Sequence, residues 1–500
     1  MSINWSAVYG NNNPIGQILN DLSLQQLEAI ATAPIQQQIN SLNAEIQLDT
    51  SQESAWTTLK GDAAAVANDL STLALPSTFQ QLMASSSNTQ VATAASDGSA
   101  QPGSYNITVT QLASGELLYG SNANMPTPVT NPNAQLNLSG TFDIYIAGNN
   151  VTPNGITVTS TDSLNSIANK INSSGAGVTA SVLEQSNGQY ILSIAGPVGQ
   201  NNTITFSDGT KGPLYYLGLW NDTTSPGSLF PGEEVAAPQD ASFYFGSNSS
   251  SPITSSSNTV TNAIPGVTMT LQGTGSTTIS VQPNMSAMVQ SVTQFVNDWN
   301  TWVKDTQNLA WAAQPGVGVS TSSQNPTGYQ SNPNQILSSP IPSMVLTEVG
   351  TQLVSWLGSS SDPYQSLADL GITFQTNAQG VNVSDQLQLN QTTLENAITN
   401  NPSAVASFFA QLQSTVSSLI SGFSADTTGT ASQAIASLSN QMTQANSEIQ
   451  QQKQLLTDAQ QNAVAEYGQW VNSIATLATQ DSLLMAQFNM NSSSGSQGGL

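Results

Sequence analysis

Cysteine, histidine and arginine are absent from this 500-residue chain, and its only cations are Lys60, Lys170, Lys211, Lys304 and Lys453. Without Cys or His, no thiolate nucleophile, Ser-His triad, imidazole base or zinc-thiolate site can be built. Against the five lysines stand 29 acidic residues, a formal net charge of -24. The lysines are scattered, so there is no basic surface for nucleic acid or an anionic membrane. No apolar run reaches the ~18 residues that a membrane-spanning helix needs. Met1–Gly10 has neither the basic start nor the apolar stretch of a cleavable signal, so a Sec-type route is not expected. The lack of cysteine fits an extracellular protein that folds without disulfides, and many cytosolic proteins share it. Charged residues make up only 7% of the chain, and Gln, Asn, Ser and Thr fill the polar positions. Such a surface changes little when carboxylates protonate, which suits an acidic external medium as well as plain compositional drift.

What the chain does have is a seven-residue apolar repeat near each end. Ile35, Ile39, Leu42 and Ile46 are spaced 4-3-4, and Trp56, Leu59, Ala63, Val66, Leu70 and Leu73 are spaced 3-4-3-4-3. Both spacings predict coiled-coil segments. Between them the register places Asp49 and Glu53 in the seam, which predicts a bend or a shift of phase there. Pro76 ends the helical region. Near the other end, Ile435, Leu438, Met442, Ala445, Ile449, Gln452, Leu456, Ala459 and Ala463 keep an unbroken 3-4 alternation, extended by Trp470, Ile474 and Leu477. The two stripes are expected to meet as one stalk. A stripe of this kind more often buries against a neighbouring helix of its own domain than against a partner, and an intramolecular pair still leaves outer faces for assembly.

Between the stripes the period changes to two. Residues 104–112, with Tyr105, Ile107 and Val109, and residues 142–148, with Phe142, Ile144 and Ile146, read as half-buried strands. Ser163 is placed to cap a short helix that carries Leu164, Ile167, Ala168 and Ile171 on one side. A hairpin over 177–194 turns at Asn187 and Gly188. Further strands are expected at 203–206, 241–245, 267–271 and 277–281, making two compact β-rich units. A helix is expected from Ser286 to Trp311, followed by a Pro/Gly/Ser/Asn-rich linker over 314–342.

No catalytic centre emerges from this inventory. The segment around Asp208 lacks the carboxylate density of a calcium loop and reads as a strand-end turn. Glu233, Glu234 and Asp240 form the densest acidic cluster of the β region. Paired carboxylates serve glycoside hydrolysis, but solvated loop charge is the simpler reading. Tyr215, Tyr216, Trp220 and Phe230 lie in a loop-like run that either meets a partner or fills a small core. No phosphate-binding loop is present, and neither a cofactor nor a metal is expected.

Four blocks carry a family resemblance: PGSYNITVTQLA (102–113), DSLNSIANKINSSGAGVTASVLEQSNGQYILSI (162–194), SSNTVTNAIPGVTMTLQGTGSTTISV (256–281) and YQSLADLGITFQTNAQGVNVSDQLQLNQTTLENAITNNPSAVASFF (364–409). In order and spacing the chain resembles the flagellar filament-capping family, hook-associated protein 2. The resemblance implies a non-enzymatic cap at the distal tip of a bacterial flagellum, exported without a cleavable signal peptide. It implies a homo-oligomeric ring, with flagellin, the hook-associated filament-junction proteins and a secretion chaperone as partners. It also implies terminal segments that order against the filament or neighbouring subunits. Ile18, Leu19, Leu22, Leu24 and Leu27 at one end, and Leu483, Leu484, Met485 and Phe488 at the other, are the contact candidates. A coiled-coil-stalked surface adhesin is the alternative reading.

The expected fold is α+β multidomain, its terminal helices paired as a coiled-coil stalk and its centre built of antiparallel β-rich domains. The expected division is a flexible segment 1–34, a coiled-coil helix 35–76, a connection 77–103, a β-rich head of two small domains 104–282, a helical domain 283–430, a coiled-coil helix 431–477 and a flexible tail 478–500.

Overall fold

The structure, a computed structural model, describes residues 24–122, 124–221, 227–231, 233–310, 336–355, 357, 361–376 and 382–493, the side chains at 262, 382–384 and 489–493 excepted. It divides into a strand-rich unit, Gln80–Ala287, and a mainly helical unit formed by Met1–Phe79 with Met288–Leu500. The described helices longer than one turn are α1 (Leu24–Leu73), α2 (Leu164–Ser173), α3 (Met285–Leu309), α4 (Ile341–Val354), α5 (Gln391–Asn400), α6 (Pro402–Ser424) and α7 (Thr430–Ser493). Terminal helices around antiparallel sheets make the fold α+β.

In the helical unit, α1 is one unbroken helix of 50 residues. One expectation needs correction here. The helix begins inside the segment 1–34 that reads as flexible, and it runs on through Asp49 and Glu53 without interruption. Gln, Ala and Leu sustain helix, and Pro34, which lacks an amide, lies on the exposed side. Asp49 itself is buried. Likewise α7 continues through 478–493, part of the segment read as a flexible tail, because Ala, Gln, Leu and Met there are good helix formers. Its 64 residues correspond to about 96 Å of helix at 1.5 Å per residue.

The core of this unit is aromatic. Trp299 and Trp302 of α3 pack edge to face at 5.7 Å, Phe79 stacks on Phe409 of α6 at 5.8 Å, and Phe295, Phe408, Phe409 and Phe423 are fully buried. The unit also holds a hairpin, Ile372–Thr376 with Asn382–Leu389. Asn300 of α3 pairs with it as a strand would: its Nδ2 donates to the Leu387 carbonyl at 2.9 Å, and its Oδ1 accepts from the Leu387 amide at 2.7 Å. Most of the Pro/Gly/Ser/Asn-rich linker lies outside the described residues.

The strand-rich unit has two hydrophobic clusters. One lies between a five-stranded sheet, ordered Leu82–Ser86, Gly275–Pro283, Gly103–Gln111, Ala241–Phe245, Ile253–Ser255, and a three-stranded sheet, Thr259–Ile264, Val267–Leu271, Ala92–Ser96. Leu82–Ser86 and Ala92–Ser96 correct the reading of 77–103 as a connection. They are so rich in Ala and Ser that they show no apolar alternation, and only their pairing with Gly275–Pro283 and Val267–Leu271 makes them strands. The other cluster gathers Phe142, Ile144, Leu192, Ile194 and the apolar side of α2. Ser163 caps α2 through a reciprocal pair with Ser166. The hairpin Thr179–Glu184 with Tyr190–Val198 closes over Gly188, whose φ of 76° is the left-handed value that glycine tolerates best.

Candidate assembly surfaces

The heptad stripe of α1 meets two different neighbours. Its first half, Ile35, Ile39, Leu42 and Ile46, packs against Ala445, Ile449 and Leu456 of α7 in a two-helix seam. Across this pair the Thr50 hydroxyl lies 3.3 Å from Met442 Sδ. Ile435 is half-buried and Leu438 buried along the same side of α7. The second half belongs elsewhere. Trp56 meets Phe423 of α6 at 6.1 Å, and the α6 residue Gln413 donates to Ser71 Oγ at 3.3 Å. Leu59, Ala63, Val66, Leu70 and Leu73 are buried in that helical core. Reading Leu59, Val66, Leu70 and Leu73 as seam between the terminal helices is therefore corrected, while Trp56 sits at the junction, beside Leu438 of α7 as well as Phe423 of α6. A 3-4 stripe requires a covered face and does not say which helix covers it, and α7 starts only at Thr430, after α6 has taken the place beside them.

The antiparallel register follows from Lys60 Nζ, 2.8 Å from Asp426 Oδ1 in the connection before α7, and from Thr50 beside Met442. Continued at equal rise, it puts Leu24 opposite roughly residue 465 of α7. Beyond that point the heptad positions of Ile449, Leu456 and Ala463 go on as Trp470, Leu477 and Leu484, with Phe488 four residues further. These four side chains are 47%, 58%, 56% and 68% exposed. Leu483 and Met485 flank the stripe and are exposed as well. At the other end Leu24 and Leu27 are half-buried, while Ile18, Leu19 and Leu22 fall outside the described residues. Ile30, Leu48, Leu455 and Val464 are also exposed. They escaped the sequence reading because they stand off the 3-4 stripe.

Several chemistry-bearing candidates of the strand-rich unit take part in the packing and hydrogen bonding of the fold. Asp208 is buried and accepts from the Tyr215 amide at 3.0 Å, steadying the single turn Pro213–Tyr216. Tyr215 packs on Tyr216 and Phe230, each at 5.6 Å, and Trp220 packs on Phe206 at 5.7 Å, so that Trp220 and Tyr216 join the core around α2. Glu233 corrects the solvated-loop reading: it is buried, drawn in where its carbonyl accepts from the Tyr119 amide. Asp240 accepts from the Gln200 amide at 2.7 Å. Sequence reasoning missed Glu116, buried on Gly115–Tyr119, whose carboxylate accepts from the Ile204 amide; burial raises its pKa. It also missed Asp162. Burial alone would raise that carboxyl, but Lys170 at 2.5 Å, the Thr159 amide and Ser166 outweigh burial and hold it far below the usual range.

Among the described residues no group of three or more potential ligands is placed to hold a metal, and no helix is long and apolar enough to cross a membrane. What α7 does present is a run of exposed apolar side chains.

Comparison with known families shows the family of the chain. The model of the flagellar hook-associated protein 2 C-terminus matches residues 238–491, and that of its N-terminus matches residues 21–116. The chain belongs to the flagellar hook-associated protein 2 family. A flagellin hook IN motif matches 141–196, within the cluster around α2. Among solved structures, the flagellar cap protein FliD D1-D2-D3 domains of Escherichia coli are 23% identical with a TM-score of 0.54, covering 77% of this chain and 99% of that one. FliD (HAP2) of Pseudomonas aeruginosa PAO1 is 24% identical over 43% of this chain and 94% of that one, at a TM-score of 0.33. No curated protein matched the chain.

Proposed function

We infer that the protein caps the distal tip of a bacterial flagellar filament, where it promotes flagellin folding and insertion and prevents flagellin leakage. The observation that carries this reading is the family match at both ends of the chain, over the α1 and α7 segments and the strands that follow and precede them. The family is one of structural cap proteins, and the adhesin alternative is not favoured by it.

Finer points rest on the surfaces. The protein acts as a homo-oligomeric ring, with the seam of α1 and α7 as the rigid member of each subunit. The stripe from Trp470 to Phe488, with Leu24 and Leu27, supplies the contacts to neighbouring subunits, flagellin or the filament-junction proteins. A secretion chaperone covers such apolar surface before export, which proceeds without a cleavable signal peptide. Support for the contact role is the run of exposed apolar side chains on a helix, a surface that soluble monomers rarely leave open.

Deletion of the gene, followed by electron microscopy of the cells and assay of flagellin in the medium, tests the reading. Lost filaments with monomeric flagellin in the medium are expected. Intact filaments with lost surface attachment would return the adhesin.

A further inference from the structure

Carboxylates of α1 and α3 approach one another in pairs: Asp69 reaches Asp298, and Asp62 lies near enough to Asp305 and Asp298 to feel their charge. Asp62 and Asp69 stand seven residues apart on α1, and Asp298 and Asp305 stand seven apart on α3, so each pair shares one side of its helix. One oxygen of Asp62 and one of Asp69 are shielded from solvent and accept no hydrogen bond. A carboxylate oxygen so placed lacks a donor, and a bound proton removes the charge that burial opposes.

None of the four carboxylates forms an ion pair among the described residues, and Asp298 Oδ1 accepts from Gln294 Nε2 at 2.9 Å. Lys60 pairs with Asp426, and Lys304 is exposed on α3 without an ion pair among the described residues. Helix α6 carries no charged residue at all, and the first ionisable residue of α7 is Glu448. Asp49 and Glu53 on α1, Asp385 on the hairpin and Glu348 on α4 add only negative charge, and the Tyr364 hydroxyl donates to the Ala397 carbonyl. The four carboxylates are not placed to ligate a metal. The proton is the ligand they fit.

We propose that these carboxylates form a proton-operated clasp, which tightens the α1–α3 contact in acid and loosens it near neutrality. Burial, then the charges of Asp305 and Asp298, push the Asp62 carboxyl up to about 6; burial, then contact with Asp298, push Asp69 up to about 7. In the unfolded chain both titrate near 3.8. A folded value above the unfolded one means that the contribution is complete below about pH 4 and is lost as pH rises through about 6 to 7. The scarcity of lysine and the absence of arginine and histidine leave this carboxyl contact as a ready response to pH in the unit. The clasp goes beyond the capping role, and its failure would leave the family assignment untouched.

Two measurements on the full chain test it. Refolding near pH 5 in weak buffer should take up between about one and two protons per chain; no uptake overturns the proposal. Amide exchange, corrected for intrinsic rates, should show residues 59–73 and 292–306 protected at least about tenfold better at pH 4 than at pH 7. Asp69→Asn should flatten that difference, and Asp298→Asn, which removes the same meeting from the other helix, should flatten it even where Asp69→Asn folds poorly. Equal protection at both pH values, or an Asp298→Asn protein as pH-dependent as the wild type, overturns the clasp.

Discussion

Along α1 one heptad stripe is buried to two different depths. In the first half Ile35 and Ile46 are only half-covered, with a single partner helix across the seam. In the second half Leu59, Ala63, Val66 and Leu73 have no exposed surface, with α6 and the aromatic residues of α3 closing over them. The same spacing therefore yields a thin two-helix seam and a full domain core. What differs is the number of elements that pack on the stripe, which spacing along one helix does not encode.

Substitutions can break this comparison. Val66→Asp puts a charge where no water reaches and should unfold the helical unit, with a loss of about 5 kcal/mol or more, seen as lost near-UV circular dichroism. Ile449→Asp changes a residue that is 4% exposed but sits in the thin seam. There a short shift of either helix brings the carboxylate to water, so the cost should be about 1–3 kcal/mol with the unit still folded. Equal losses at the two positions, measured by denaturant unfolding, would show that the halves are not different in kind.

A smaller effect sharpens the contrast between the two units' responses to acid. In the strand-rich unit Asp162 has its carboxyl held low by Lys170, so its contribution is present above about pH 4 and fades as the medium grows more acidic, opposite in sign to Asp62 and Asp69. Lys170→Met should cost about 2 kcal/mol at pH 7, discounted for the part-exposed lysine, and progressively less below pH 4. An unchanged cost at pH 2 would dissociate Lys170 from the Asp162 titration.

Much of the strand-rich unit was legible because its signals are local. Ser163 capping Leu164, Ile167, Ala168 and Ile171, and Gly188 closing a hairpin of alternating residues, depend on neighbours a few positions away. Leu82–Ser86 and Ala92–Ser96 were illegible because their evidence lies nearly two hundred residues off, in the strands they join. The assembly surface divides the same way. The stripe through Leu456 and Leu484 is periodic and visible in the sequence, whereas the burial of Trp56 under Phe423 depends on α6. The α1–α3 carboxylates were equally hidden, since Asp62 and Asp298 look like solvated charges until two helices are set side by side.

The smallest expected effect on stability carries the most about function. Trp470, Leu477, Leu484 and Phe488 continue the seam positions of Ile449 and Leu456, yet they stand exposed where Ile449 is buried. If the seam's positions serve folding in one stretch and assembly in the next, replacing Trp470, Leu484 and Phe488 together by Ser should leave thermal melting nearly unchanged, because little buried area is lost. The same protein should fail to restore filaments in cells lacking the gene and should release flagellin into the medium. A marked fall in melting temperature would place these side chains in the monomer's own packing. Normal filaments would show that this stripe is not the assembly contact.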